Sequence, residues 1–199
     1  MIEHVRQSLE EDLGNGDITT SCVINRPVFG HARIYAKQAG ILAGRDLAEY
    51  AFRQVHTEFL QRSSSLEFNW NVLDGDRIEP EDDVGTVRGD VDTILSAERV
   101  ALNYLQQLSG VATLTGKFVE IARPYGVRVF DTRKTVPHHR KLQKYAVRCG
   151  GGQNHRMDLS EAVKIKDNHK QLAGGLRPAL DAVEADVPSG VEIHDESEL

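Results

Sequence analysis

Between Phe130 and His169 the chain reads FDTRKTVPHHRKLQKYAVRCGGGQNHRMDLSEAVKIKDNH, and no other stretch gathers as much positive charge. From Asp131 to Arg156 seven residues are Lys or Arg: Arg133, Lys134, Arg140, Lys141, Lys144, Arg148 and Arg156. His138, His139 and His155 join them, and Asp131 is the one acid of the segment, which carries about +6 in a chain of formal net charge -6. Cations concentrated inside an acidic protein mark a place where an anion docks. The plainer alternative is a solvated basic helix face.

Spacing favours the anion. Arg133 and Lys134 follow the strand-like run Val127 to Phe130, and Lys166 follows a second run, Ala162 to Ile165. The carboxyl ends of parallel strands are where α/β proteins hold ligand groups. His155 and Arg156 come shortly after Gly150, Gly151 and Gly152, whose missing side chains let the backbone approach a ligand or another chain closely. Together these residues predict one pocket for a small anion.

The rest of the chain must position that pocket. At 199 residues, with 40% hydrophobic and 27% charged residues, it is long enough to bury a sizeable core. A mean hydropathy of -0.40 is ordinary for a soluble globular protein, and a sequence pI near 5.7 argues against sequence-independent nucleic-acid binding. Two cysteines, Cys22 and Cys149, without CxxC or His/Cys metal spacing, predict neither a disulfide framework nor a structural zinc site, and a cytoplasmic location is expected. MIEHVRQSLEEDLG has no apolar core, and no apolar run is long enough to span a bilayer, so neither a signal peptide nor a membrane segment is expected.

Ile2, Val5, Leu9 and Leu13 predict an amphipathic helix stopped by Gly14, followed by a turn in which Asp17 binds local amides. Strands are expected between Val28 and Val91, around a helix over Arg45 to Val55, with a hairpin turn at Asp74-Gly75, an exposed loop at Pro80 to Asp83 and Trp70 in the core. Ile94 to Ile121 predicts a long helix capped by Ser96 and broken at Ser109-Gly110, with Arg99 in its first turn. A cation there opposes the helix dipole, which points either to an external partner or to an ion pair with Glu98 or Asp92. Beyond Gly126 the rhythm alternates: strand Val127 to Phe130, helix His138 to Cys149, strand Ala162 to Ile165, helix Leu176 to Ala185, strand Val191 to Ile193. That is the pattern of βαβ units with a parallel sheet.

EDLGNGDITT at 11 to 20, SAERVALNYLQQLSGVATLT at 96 to 115, DTRKTVP at 131 to 137, KYAVRCGGGQNHRMDL at 144 to 159 and IKDNH at 165 to 169 resemble the quinolinate phosphoribosyltransferase family, also called nicotinate-nucleotide pyrophosphorylase (carboxylating). The resemblance implies an α/β fold: an N-terminal α/β sandwich with its linking helix over 1-110, then a truncated, incomplete β/α barrel over 111-199. It implies transfer of a phosphoribosyl group from phosphoribosyl pyrophosphate to quinolinate, with Mg²⁺, giving nicotinate mononucleotide, pyrophosphate and CO₂ in NAD biosynthesis. Carried over residue by residue, Thr132, Arg133 and Lys134 match the family's TRK substrate motif, and His155 and Arg156 match its NHR motif, which contacts the quinolinate carboxylates. Lys166 matches the lysine facing the phosphoribosyl substrate; Lys134 and Lys166 are then the catalytic cations. Arg99 matches an arginine that reaches the neighbouring subunit's site, so a homodimer is implied. Lys141, Lys144 and Arg148 are read as surface or interface charge, and Cys149 as a small buried residue and not a nucleophile.

The chain departs from the family at several positions. His138-His139-Arg140 replaces the usual Gly-Leu-Arg, and the two histidines are expected to begin the helix. Asp158 stands where glycine is common and is strained if its φ is positive. VEIHDESEL puts His194 or Asp195 near a family glutamate that contacts ribose. The segment that supplies a metal-associated aspartate and phosphate-holding loops is not recognised, and no residue here is assigned to metal. Two alternatives follow: a non-catalytic truncated paralogue that keeps an anion pocket, and a ModD-like relative, associated with molybdenum transport, with another substrate.

Overall fold

The structure, a computed structural model, describes residues 2–195, except the side chain of Ile2; Met1 and the end of the VEIHDESEL segment from Glu196 on lie outside the described residues. The fold is mixed α/β, and no closed barrel forms among the described residues. By contact the chain forms two compact units. The first comprises residues up to Asp131 with Lys141–Gln153, and the second Thr132–Arg140 with residues from Asn154 on.

In the first unit, α1 (Ile2–Leu13) follows the predicted periodicity, with Val5 and Leu9 fully buried and Gly14 ending it at φ 53. Asp17 caps α2 (Ile18–Val23): its carboxylate accepts from Thr20 N at 2.9 Å, which satisfies an amide the helix leaves open. An antiparallel sheet in the order β1-β5-β3 is built from β1 (Phe29–Tyr35), β5 (Asp83–Asp90) and β3 (Glu67–Trp70). Ala32 and Phe68 flank the fully buried Val87 across it. A second pair joins β2 (Gly40–Ile41) to β4 (Arg77–Ile78). Asp74-Gly75 therefore is not a hairpin turn, because β3 and β4 belong to different sheets. Asp74 instead accepts from Gly44 N and Arg45 N, at 2.8 and 3.1 Å, and so caps α3 (Arg45–Gln54). Pro80 to Asp83 is exposed as expected, and Trp70 is half-buried, with its Nε1 donating to Glu49 at 2.9 Å.

The axis of this unit is α4 (Val91–Ala122), 32 residues without interruption, packed on α3. The predicted break at Ser109-Gly110 does not occur. Leu108 and Ala112, on either side, are fully buried, and Ser109 Oγ accepts from Ala43 N at 2.9 Å. Tertiary packing outweighs the roughly 1 kcal/mol that glycine costs inside a helix. Since α4 begins at Val91, Ser96 is no cap; it is buried and donates to Asp17 at 3.2 Å. Arg99 is beyond the first turn, so the dipole argument for it lapses.

Alternation continues past Gly126 with shifted bounds. Val127 to Phe130 reduces to one parallel bridge, Phe130 to Gln153. Helix α5 (Arg140–Cys149) follows, then β6 (Val163–Ile165), α6 (Asp167–Ala173), α7 (Leu176–Asp181) and β7 (Ser189–Val191). Strands β6 and β7 pair in parallel, the only two-stranded parallel sheet among the described residues. The glycine run after α5 makes its close approach to this chain's own α4: a Cβ on Gly150 would sit 2.3 Å from Ala112 O, and one on Gly152 would sit 2.8 Å from Thr115 Cγ2.

Candidate active site

Backbone geometry sets where the first basic motif begins. Gln153 N donates to Val129 O at 2.8 Å and Asp131 N donates to Gln153 O at 3.0 Å, so both segments are in register just before they pass into the second unit. In the second unit Thr132 Oγ1 accepts from Lys134 N at 3.0 Å, and Arg133 O accepts from Thr135 N at 3.0 Å, which curls the loop tightly. Arg133 is half-buried, and its Nε is a buried donor with no hydrogen-bond partner among the described residues. Such a donor is costly to leave unmade, and because the atom is shielded from solvent a ligand oxygen would satisfy it only as the loop opens around the ligand. Lys134 is exposed and forms no ion pair among the described residues.

Arg140, which the sequence reading assigned no role, holds this loop to the second motif. Its Nε donates to Thr135 Oγ1 at 3.1 Å, Nη1 to Met157 O at 3.2 Å and Nη2 to Arg133 O at 3.5 Å. The fixed fork of the guanidinium suits three acceptors on two loops. The signal that could have found it is its place at the head of α5, directly after the TRK loop. His138, just before, adopts φ 62, and the helix starts only at Arg140, so the histidines do not begin it. A positive φ explains why glycine suits that position.

His155 is exposed and its Nδ1 accepts from Arg156 N at 2.7 Å. Arg156 is half-buried, and its Nη1 donates to Ala162 O at 2.5 Å, just before β6. Asp158 avoids a positive φ; it accepts from Ser160 N at 2.9 Å and Ser160 Oγ at 2.6 Å, and these bonds hold its carboxyl below the usual range. The expected strain is absent.

Lys166 follows β6 at its carboxyl end, four residues beyond Ala162, or roughly 13 Å along the strand. The TRK and HRM loops are thus brought together by Arg140, while Lys166 occupies the opposite end of β6 from the Arg156 contact. Lys166 Nζ is 3.0 Å from Glu192, the residue after β7. Its hydrogen bond and charge hold the Glu192 carboxyl below its ordinary value. Beside them Asp167 is held low by His194 Nε2 at 2.7 Å and by Lys170 at 3.0 Å. An acid and an imidazole therefore do cluster at the strand ends, with Glu192 and not His194 facing Lys166.

Arg99 is exposed on α4, in the first unit. The local pairing considered for it is not formed: Asp92 is engaged by Arg62, and Arg99 has no ion pair among the described residues. Lys141 and Arg148 are exposed, but Lys144 is not surface charge; it is fully buried and paired with Asp131. Burial pushes the half-buried Cys149 thiol up, against a nucleophilic role. A cavity of about 440 Å³ in the first unit, lined by Arg26, Arg62, Asp90 and Asp92, contains none of the predicted site residues. In its lining Arg62 pairs with Asp92, and the Ser64 hydroxyl donates to Asp90. Among the described residues no group of three or more His, Cys, Asp or Glu is placed to hold a metal, and no helix is long and apolar enough to cross a membrane.

Two family profiles together cover most of this chain: "Quinolinate phosphoribosyl transferase, N-terminal domain" over residues 17–109 and "Quinolinate phosphoribosyl transferase, C-terminal domain" over residues 111–198. The chain belongs to the quinolinate phosphoribosyltransferase family. It is 42% identical to a mitochondrial quinolinate phosphoribosyltransferase [decarboxylating] of Nicotiana tabacum, over 92% of this chain and 50% of that protein. It is 37% identical to a probable nicotinate-nucleotide pyrophosphorylase [carboxylating] of Synechocystis, over 97% of this chain and 63% of that protein. The solved nicotinate-nucleotide pyrophosphorylase of Francisella tularensis superposes with a TM-score of 0.89 at 36% identity, covering 99% of this chain and 68% of that one. The chain thus spans about half the length of the tobacco relative. Both parts of the family fold are represented, the sandwich and the incomplete barrel.

Proposed function

We propose that this chain binds quinolinate on the Arg133 and Arg156 loops and takes part in its phosphoribosylation to nicotinate mononucleotide, with release of pyrophosphate and CO₂. The observation that carries the reading is the buried Arg133 Nε, without a partner among the described residues, on a loop that Arg140 ties to the HRM segment. A dicarboxylate needs donors with planar, charge-assisted geometry, which arginine supplies. Thr132, Arg133, His155 and Arg156 bind and orient the two carboxylates; Lys134 holds positive charge beside them.

Attack of the pyridine nitrogen on ribose C1 develops oxocarbenium character there and negative charge on the leaving pyrophosphate. Breaking the bond from C2 to its carboxylate then releases CO₂ and leaves the electron pair on ring carbon C2, which takes up a proton from solvent to give the product. Fixed cations stabilise both charges without a covalent nucleophile. Lys134 serves the pyridine and Lys166 the phosphoribosyl group. Lys166 must first exchange Glu192 for phosphate, which costs little, since the pair is open to solvent and weakly held. Mg²⁺, when present, would neutralise pyrophosphate charge. The donor set among the described residues does not fit a metal.

Arg99, exposed and without an ion pair among the described residues, is free to serve a neighbouring site in a homodimer. A division at 1-110 and 111-199, and a cytoplasmic location, complete the proposal. The test is incubation with quinolinate, phosphoribosyl pyrophosphate and Mg²⁺, with product followed by mass spectrometry. Nicotinate mononucleotide above a Lys134→Ala/Arg156→Ala control is expected. A folded chain that binds quinolinate yet makes no product would leave an anion-binding protein without turnover.

A further inference from the structure

Lys144 is 1% exposed, and its Nζ lies 2.5 Å from Oδ1 of Asp131, itself 6% exposed. Leu142 and Ala146, two residues to either side on α5, face another side of the helix and are also buried, so α5 is enclosed on more than one face and position 144 is an interior one. A buried ion pair adds little to stability over apolar packing; what it adds is a fixed place for both charged groups. Nor can a side chain so enclosed reach an anion arriving from solvent.

The place it fixes is informative. Asp131 is the residue before Thr132, and its amide donates to Gln153 O at 3.0 Å. Gln153 is the residue before Asn154, His155 and Arg156. Both motifs therefore depart from one bridged point that the Lys144 charge anchors, and the first unit ends at these same two residues.

We propose that Lys144 is a positioning residue: its ion pair with Asp131 fixes where the Thr132–Lys134 and Asn154–Arg156 segments leave the Phe130 to Gln153 bridge, and so sets the anion-binding groups without touching substrate. The ligand arm rests on the quinolinate reading above; the backbone arm does not.

The test compares wild type with Asp131→Leu/Lys144→Met, which replaces the pair by apolar groups, and with Asp131→Glu, which keeps both charges but lengthens the link. Melting temperature, amide hydrogen exchange at Asp131 and Gln153, and quinolinate affinity by calorimetry are read on each. The proposal expects folded variants whose exchange at these two amides is at least tenfold faster and whose quinolinate Kd is at least tenfold weaker. Unchanged exchange and unchanged Kd in either folded variant would overturn it, for the pair would then serve packing alone. If wild type binds no quinolinate, the substrate reading falls while exchange still decides the positioning role: faster exchange upholds it and unchanged exchange overturns it. If the double variant does not fold, Asp131→Glu decides by the same criteria.

Discussion

His138 holds a left-handed backbone at φ 62 where its side chain makes that conformation costly. Histidine tolerates this better than most residues, so relief is modest: His138→Gly should raise unfolding free energy by about 1 kcal/mol, read by urea denaturation. Lys144 is the opposite case. Lys144→Met alone takes the lysine charge from a buried carboxylate and should cost about 3–5 kcal/mol. The exposed carboxylates Asp167 and Glu192 act through pH. Both are depressed in the folded chain, from ordinary values of 3.8 and 4.5, by the cations and imidazole beside them. Their contribution is therefore complete above the unfolded values and is lost as pH falls through the lower folded ones. Glu192→Gln should flatten the decline in the urea midpoint below about pH 4.5, and an unaltered decline would show that the Lys166 pair contributes nothing. Among these residues the basic motifs were legible in sequence because charge and order survive without geometry. Lys144 was misread for the same reason: charge suggested surface, and only the position of Asp131 shows the burial.

At the scale of elements, α4 passes through Gly110 unbroken, and that glycine is exposed with nothing near the place of a Cβ. Gly110→Ala should accordingly stabilise by about 0.4–1 kcal/mol. Gly150 is different, since its added Cβ would collide with the backbone of α4 at Ala112. Gly150→Ala should cost about 1–3 kcal/mol or more, and a neutral result would contradict this packing. Helical periodicity revealed α1, α3, α4 and α5, because apolar spacing reports one buried face. It missed the continuity of α4, which depends on Ser109 contacting Ala43, a partner far away in sequence. It also misassigned the Asp74-Gly75 turn, whose role as a cap on α3 depends on tertiary contact.

At the scale of the whole molecule, the chain keeps both parts of the family fold and divides the predicted residues unevenly. Thr132, Arg133, Lys134, His155, Arg156 and Lys166 fall in the second unit, and Arg99 in the first. The order of the sequence motifs made the family legible, whereas the tie made by Arg140 and the Glu192 partner of Lys166 required the structure. The central claim is that the Arg133 loop is a dicarboxylate site, and it is tested most directly by thermal unfolding of the chain with and without quinolinate. At 100 times Kd the ligand should add about 2.7 kcal/mol of stability, lost in Arg133→Ala and kept in Arg148→Ala, whose side chain lies over the Tyr145 ring. A folded wild-type chain whose stability does not change with quinolinate would contradict the account.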